Sequence, residues 1–139
     1  MLGKILLVED SETDAILIKS SLNKVYSDVQ LHVVRDGQQA MDYLSGLGKF
    51  TDREKYPFPQ LVLLDLKLPG ISGLEVLRWI RSTPALAGLI IVVLTCSDFP
   101  ADTTQAYNLG ANSVLRKPSS GGDMAALLKS IIDYWARRE

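Results

Sequence analysis

The stretch Leu61-Val62-Leu63-Leu64-Asp65-Leu66-Lys67-Leu68-Pro69-Gly70 decides the fold. Its first four residues are apolar without alternation, and an acid follows at once. A strand apolar at every position is one covered on both faces, as in a parallel sheet flanked by helices. Four further short runs share the chain with it: Lys4 to Val8, Leu31 to Val34, Leu89 to Leu94 and Ser113 to Leu115. Each reads as a strand.

Helical patterns fill the intervals. After Asp10, Ser11 is an N-cap candidate with Glu12 and Asp14 in the first turn. Ala15, Ile18, Leu22 and Val25 then step by three and four. A second helix runs from about Asp36 to Ser45 with Ala40, Met41 and Leu44 inward. A third begins near Gly73 and carries Leu74, Leu77 and Ile80. A fourth spans about Ala101 to Leu109 and stops at Gly110. The last covers about Asp123 to Arg137, with Met124, Leu128, Ile131 and Trp135 on one stripe.

The order is βαβαβαβαβα. Right-handed crossovers then place helices on both faces of five parallel strands. At this size the common solution is the flavodoxin-like, doubly wound α/β sheet with strand order 2-1-3-4-5, whose ligands bind at the carboxyl ends of the strands. The 139 residues suit a single domain over 1–139, with no output domain after it.

Composition narrows the classes. Hydrophobic residues make up 47% and charged residues 22%, as expected of a soluble folded protein. The net charge is -1 and no basic patch suits nucleic acid; the densest basic cluster, Arg137-Arg138, fits the end of a C-terminal helix. The longest apolar run, Leu86 to Leu94, is too short to span a membrane. A lone Cys96 excludes an internal disulfide, and no signal peptide precedes the first strand, so a cytoplasmic location is expected.

Polar residues mark where the apolar runs end. These are Glu9-Asp10 after strand one, Asp65 after strand three, Thr95 after strand four and Arg116-Lys117-Pro118 after strand five. In a parallel sheet these ends share one rim. Asp10 and Asp65 can supply carboxylates to Mg²⁺, and Glu9 can join directly or through a water. Three clustered acids would repel one another without a cation. An Asp can also attack phosphorus, with Lys117 sharing the phosphoryl charge and Thr95 donating a hydrogen bond. Taken singly, each residue has a plainer reading. An acid after a strand suits a turn, Thr95 is a β-branched strand residue, and Lys117 is a solvated charge.

Together the segments resemble the receiver domains of two-component response regulators. The likeness rests on Leu6-Leu7-Val8-Glu9-Asp10, on the stretch 61–70 followed by Ser72-Gly73-Leu74, on Val93-Leu94-Thr95 and on Lys117-Pro118. The gaps of 30 from Asp65 to Thr95 and 22 from Thr95 to Lys117 agree with it. The resemblance implies that Asp65 accepts a phosphoryl group from a histidine kinase. It implies Mg²⁺ or Mn²⁺ held by Glu9, Asp10, Asp65 and the main-chain carbonyl of Lys67. Thr95 and Lys117 would bind the phosphoryl group, and the Lys117–Pro118 bond would be cis. Lys67 and Ser97 would tune the lifetime of the phosphate. Such a domain is a switch and not an enzyme, beyond slow loss of its own phosphate.

Two departures stand out. The family's aromatic switch position holds Val114, with Tyr107 as a substitute. Cys96 follows Thr95 where a smaller residue is usual, and reads as a buried packing residue. The long connection Leu47 to Pro59 resembles stand-alone receivers that partner phytochrome-type histidine kinases, as do the segments 8–15 and 35–41. On the last helix Leu127 and Ile132 widen the apolar face. They either pack under neighbouring loops or belong to a homodimer surface on helices four and five, and the latter is favoured. His32 reads as packed or edge-exposed.

Competing functions are a phosphorylation-independent interaction module, which the acidic cluster argues against and Val114 keeps open, and an aspartyl-phosphate hydrolase. The hydrolase is disfavoured because Lys67 stands where its second Asp is needed. Flavin binding is disfavoured by the acids after strand one, which would repel a phosphate.

Overall fold

The computed structural model describes residues 3–96 and 99–137. Five parallel strands form one sheet in the order β2-β1-β3-β4-β5. They are β1 (Lys4–Val8), β2 (Gln30–Val34), β3 (Leu61–Leu64), β4 (Ile90–Thr95) and β5 (Ser113–Arg116). Between and after them run α1 (Glu12–Val25), α2 (Gly37–Ser45), α3 (Gly73–Ser82), α4 (Pro100–Asn108) and α5 (Gly121–Ala136).

The unbroken apolar runs are explained by two cores, one on each face. Leu6, Val8, Val62, Leu64, Ile91 and Val93 face α2, α3 and α4. Their neighbours Ile5, Leu7, Leu61, Leu63, Val92 and Leu94 face α1 and α5. Every residue of β3 is buried, so neither face could tolerate a polar side chain.

Strands β4 and β5 run one residue further into polar sequence than the apolar pattern indicates. Thr95 pairs with Arg116 in the ladder. Backbone pairing does not depend on side-chain polarity, which is why apolar runs stop short of the true ends.

Helix starts follow their caps. The hydroxyls of Ser11, Ser72 and Ser120 and the carboxylate of Asp36 each accept from a backbone N–H three residues on. Ala15, Ile18 and Leu22 of α1 are buried as their spacing requires. On α2 the largest buried side chain is Tyr43, outside the predicted stripe, with its hydroxyl donating to the Pro57 carbonyl at 2.8 Å. The wide apolar face of α5 is also explained. Ile132 is buried and Leu127 partly buried in the core shared with α1. The expectation that Ile132 belongs to a dimer surface is therefore corrected, since it is buried in this core, while Leu127 is only partly covered.

The connection 47–59 folds as an aromatic plug. A 3-10 turn, Gly48–Thr51, buries Phe50. The Phe50 ring lies 5.0 Å from that of Tyr43 and 5.1 Å from that of Tyr56. Arg53 stands 5.7 Å over Tyr43 and donates to the carbonyls of Tyr56 and Leu44, both at 3.2 Å. His32 of β2 closes the cluster, its ring 5.9 Å from Tyr56. Among the described residues no helix is long and apolar enough to cross a membrane.

Candidate functional site

Chain direction places the carboxyl ends of β1, β3, β4 and β5 along one rim, and the polar residues converge there. Glu9, Asp65 and Thr95 are buried, at 1%, 4% and 3% exposure. Asp10 is exposed at the mouth. One carboxylate oxygen from each of Glu9, Asp10 and Asp65 lies within 4.8 Å of the others.

Lys117 reaches in from the end of β5. Its backbone N–H donates to the Thr95 carbonyl at 2.9 Å, extending the β4–β5 ladder to the rim. Its side chain is 6% exposed, and its ammonium lies 2.6 Å from Glu9 Oε1, 2.9 Å from Asp14 Oδ2 and 3.1 Å from Asp65 Oδ2. The remaining oxygens of Asp65 and Glu9 are held by backbone. Asp65 Oδ1 accepts from the Lys67 N–H and Glu9 Oε2 from the Ser11 N–H, each at 3.2 Å.

Glycine makes room beside Asp65. A Cβ on Gly73 would fall 2.1 Å from the Asp65 carbonyl oxygen and 2.6 Å from the Leu66 Cα. The start of α3 can therefore lie against this loop only as glycine, and the Gly73 N–H donates to the Leu66 carbonyl at 3.0 Å.

The site is electrostatically loaded. Burial pushes the Glu9 carboxyl up to about 7, opposed by its bond to Lys117 and reinforced by the Asp65 charge. Burial alone would discharge the Lys117 ammonium. Its bonds to Glu9 and Asp14 and the Asp65 charge outweigh that and hold it above the ordinary lysine value. A hard divalent cation fits this donor set, since it prefers carboxylate oxygens and would relieve their repulsion.

The sequence-predicted residues fall as follows. Glu9, Asp10, Asp65, Thr95 and Lys117 all lie at the rim. Lys67 lies two residues after Asp65 and is exposed, and its amide serves the Asp65 carboxylate. Ser97 and Arg138 lie outside the described residues.

Two expectations are corrected. There is no cis peptide bond among the described residues, so Lys117–Pro118 is trans. The trans form is the lower in energy for X–Pro, and with it Lys117 already meets its carboxylate partners and the Thr95 carbonyl. Cys96 is exposed and not a packing residue, because the chain leaves the sheet after Thr95.

At position 114 the expected departure has a local answer. The Val114 N–H donates to the Tyr107 hydroxyl at 3.0 Å, so an aromatic ring from α4 reaches β5 at that position. Sequence reasoning missed the role of Asp14. It reads as a first-turn acid favoured by the helix dipole, but that first turn begins only two residues after Asp10, so it starts from the same rim. That spacing is the signal that could have placed it at the same rim.

Comparison with known proteins follows the same lines. A family model described as the response regulator receiver domain matches residues 5–129. The response regulator Rcp1 of Synechocystis is 38% identical over 131 residues, covering 94% of this chain and 87% of Rcp1. The crystal structure of the phosphorylated cyanobacterial phytochrome response regulator RcpA matches with a TM-score of 0.89 at 34% identity, covering 100% of this chain and 97% of RcpA. The Mn²⁺-bound form of Rcp1 matches with a TM-score of 0.83 at 38% identity, covering 96% and 94%.

Proposed function

Because this chain belongs to the response regulator receiver domain family, we propose that it is a phosphorylation switch with Asp65 as its acceptor. The observation that carries this is the Asp65 carboxylate: 4% exposed, 3.1 Å from the Lys117 ammonium, and clustered with Glu9 and Asp10. An oxygen of Asp65 bonds to phosphorus as the P–N bond to a donor imidazole of a histidine kinase breaks. The imidazole leaves with the electron pair. Glu9, Asp10, Asp65 and the Lys67 carbonyl would hold Mg²⁺ or Mn²⁺. When bound, the cation supplies charge neutralisation for the transferred oxygens. Lys117 then turns from the carboxylate to a phosphoryl oxygen, and the Thr95 hydroxyl donates to another.

The kinase is phytochrome-type in this proposal, since Rcp1 and the phytochrome response regulator RcpA are among the relatives over nearly their whole length. That partner implies work in the cytoplasm. Output leaves through the face of α4, β5 and α5, where Tyr107 and Tyr134 are about half exposed at 49% and 48%. That face is the homodimer surface. The protein turns over no external substrate.

Acetyl phosphate with Mg²⁺ should add one phosphoryl group, observed by intact mass, and omission of the metal or Asp65→Asn should prevent it. Persistent labelling of Asp65→Asn refutes the assignment. Transfer from a purified phytochrome-type kinase, faster than from kinases of other sensor classes, tests the partner.

A further inference from the structure

We infer that Asp14 is a positioning residue for phosphoryl transfer: it anchors the Lys117 ammonium over Asp65 while the other acids of the rim are engaged elsewhere. The inference rests on the reading of Asp65 as phosphoacceptor.

Three carboxylates stand around the Lys117 ammonium: Glu9 in ion-pair contact at 2.6 Å, and Asp14 at 2.9 Å and Asp65 at 3.1 Å as hydrogen-bond acceptors. Two of these are members of the acidic cluster suited to a cation, and Asp14 is not. Glu9 and Asp65 would give oxygens to a bound cation, and Asp65 would give one oxygen to phosphorus outright. Asp14 is the one of the three that neither event consumes.

Its place is fixed independently of the site. Asp14 sits in the first turn of α1, where its N–H donates to the Ser11 hydroxyl at 3.2 Å, and the helix is pinned by buried Ala15 and Ile18. The side chain is 34% exposed and the ammonium it holds is 6% exposed. A long, flexible lysine arm emerging from a strand end has many rotamers. A fixed carboxylate on a second element selects the one that points at Asp65. Asp14 thus acts through Lys117 and makes no bond to the transferred group.

The test measures the rate of labelling by acetyl phosphate at saturating Mg²⁺, the Mg²⁺ dissociation constant and the melting temperature. The proteins are the full chain, Asp14→Asn and Asp14→Glu. Wild-type labelling must be seen first; its absence overturns the phosphoacceptor reading and not this one specifically. Given labelling, Asp14→Asn should slow it about tenfold, the order carried by one charge-assisted bond to a buried ammonium. Mg²⁺ affinity should shift by no more than about threefold, as for a charge outside the metal's own ligands. Asp14→Glu should recover most of the rate, because the lysine arm can follow a longer carboxylate. An unchanged rate in Asp14→Asn overturns the inference. So does a loss of Mg²⁺ affinity matching the loss of rate, or a failure of Asp14→Glu to recover a rate that Asp14→Asn has lost.

Discussion

Lys117 and Arg81 are both cations drawn to a rim of the same sheet, and they keep opposite company. Lys117, at the carboxyl ends of the strands, is ringed by Glu9, Asp14 and Asp65. Arg81 serves the amino ends of β4 and β5. Its Nε donates to the Gly110 carbonyl at 2.9 Å, its Nη1 to the carbonyls of Ala87 and Leu89 at 2.9 and 2.7 Å, and its Nη2 to Asn112 Oδ1 at 2.9 Å. Gly110, at φ +102°, turns the chain tightly against it. All of these acceptors are neutral. Burial accordingly lowers Arg81 below the ordinary arginine value, whereas its carboxylates hold Lys117 above the ordinary lysine value. A cation among neutral carbonyls is a staple with nothing to exchange. A cation among carboxylates can hand them to a metal and take a phosphoryl group in return. The two rims differ in the charge that surrounds their cation.

The largest effect is expected at the carboxyl rim. Lys117→Met leaves buried acids without their cation and should cost about 3 kcal/mol in urea unfolding with chelator present. Mg²⁺ should return much of that stability, because it replaces the lost positive charge. At the amino rim, Arg81→Met removes the donor shared by four acceptors, of which Asn112 Oδ1 keeps the Ile91 N–H, and should cost about 2 kcal/mol. Mg²⁺ should not restore it, and labelling by acetyl phosphate should stay within about twofold of wild type, as for independent sites. Equal slowing by both substitutions would break the comparison.

The aromatic plug is a third region, and it sharpens the contrast because its buried hydroxyl, that of Tyr43, donates to a neutral carbonyl. Tyr43→Phe removes the donor to the Pro57 carbonyl at 2.8 Å and should cost about 1 kcal/mol by urea unfolding, with phosphoryl uptake unaltered. The smallest effect concerns His32. Burial lowers it from the ordinary 6.5, so the unfolded chain binds the proton first as pH falls. Stability from this group is complete above pH 6.5 and declines as pH drops below that toward the lowered folded value. His32→Phe should flatten that part of the stability curve.

The sequence made the sheet legible because β3 and β4 are buried on both faces and their apolar runs have no other reading. The rim was legible for a related reason. In a parallel sheet, each acid, hydroxyl or lysine that ends a run is delivered to the same edge, so topology alone brings Glu9, Asp10, Asp65, Thr95 and Lys117 together. Arg81 and Asp14 were not legible, because a charged residue on an amphipathic helix looks solvated until its neighbours in space are known. Tyr43 was hidden by the packing of an irregular segment, whose rings carry no periodicity. Ile132 looked surplus to α5 because the breadth of a buried face depends on how closely α1 crosses it. Cys96 and Pro118 were misjudged at the end of a strand and at a proline, where local sequence permits two conformations.

The central claim is that the rim delivers a phosphoryl group to one carboxylate with a divalent cation present. Borohydride reduction converts an aspartyl phosphate to homoserine, and peptide mass spectrometry locates it. After treatment with acetyl phosphate and Mg²⁺, homoserine is expected at position 65 and nowhere else, and not at all when the metal is chelated. Homoserine at another acid, or at position 65 to the same extent without metal, would contradict it.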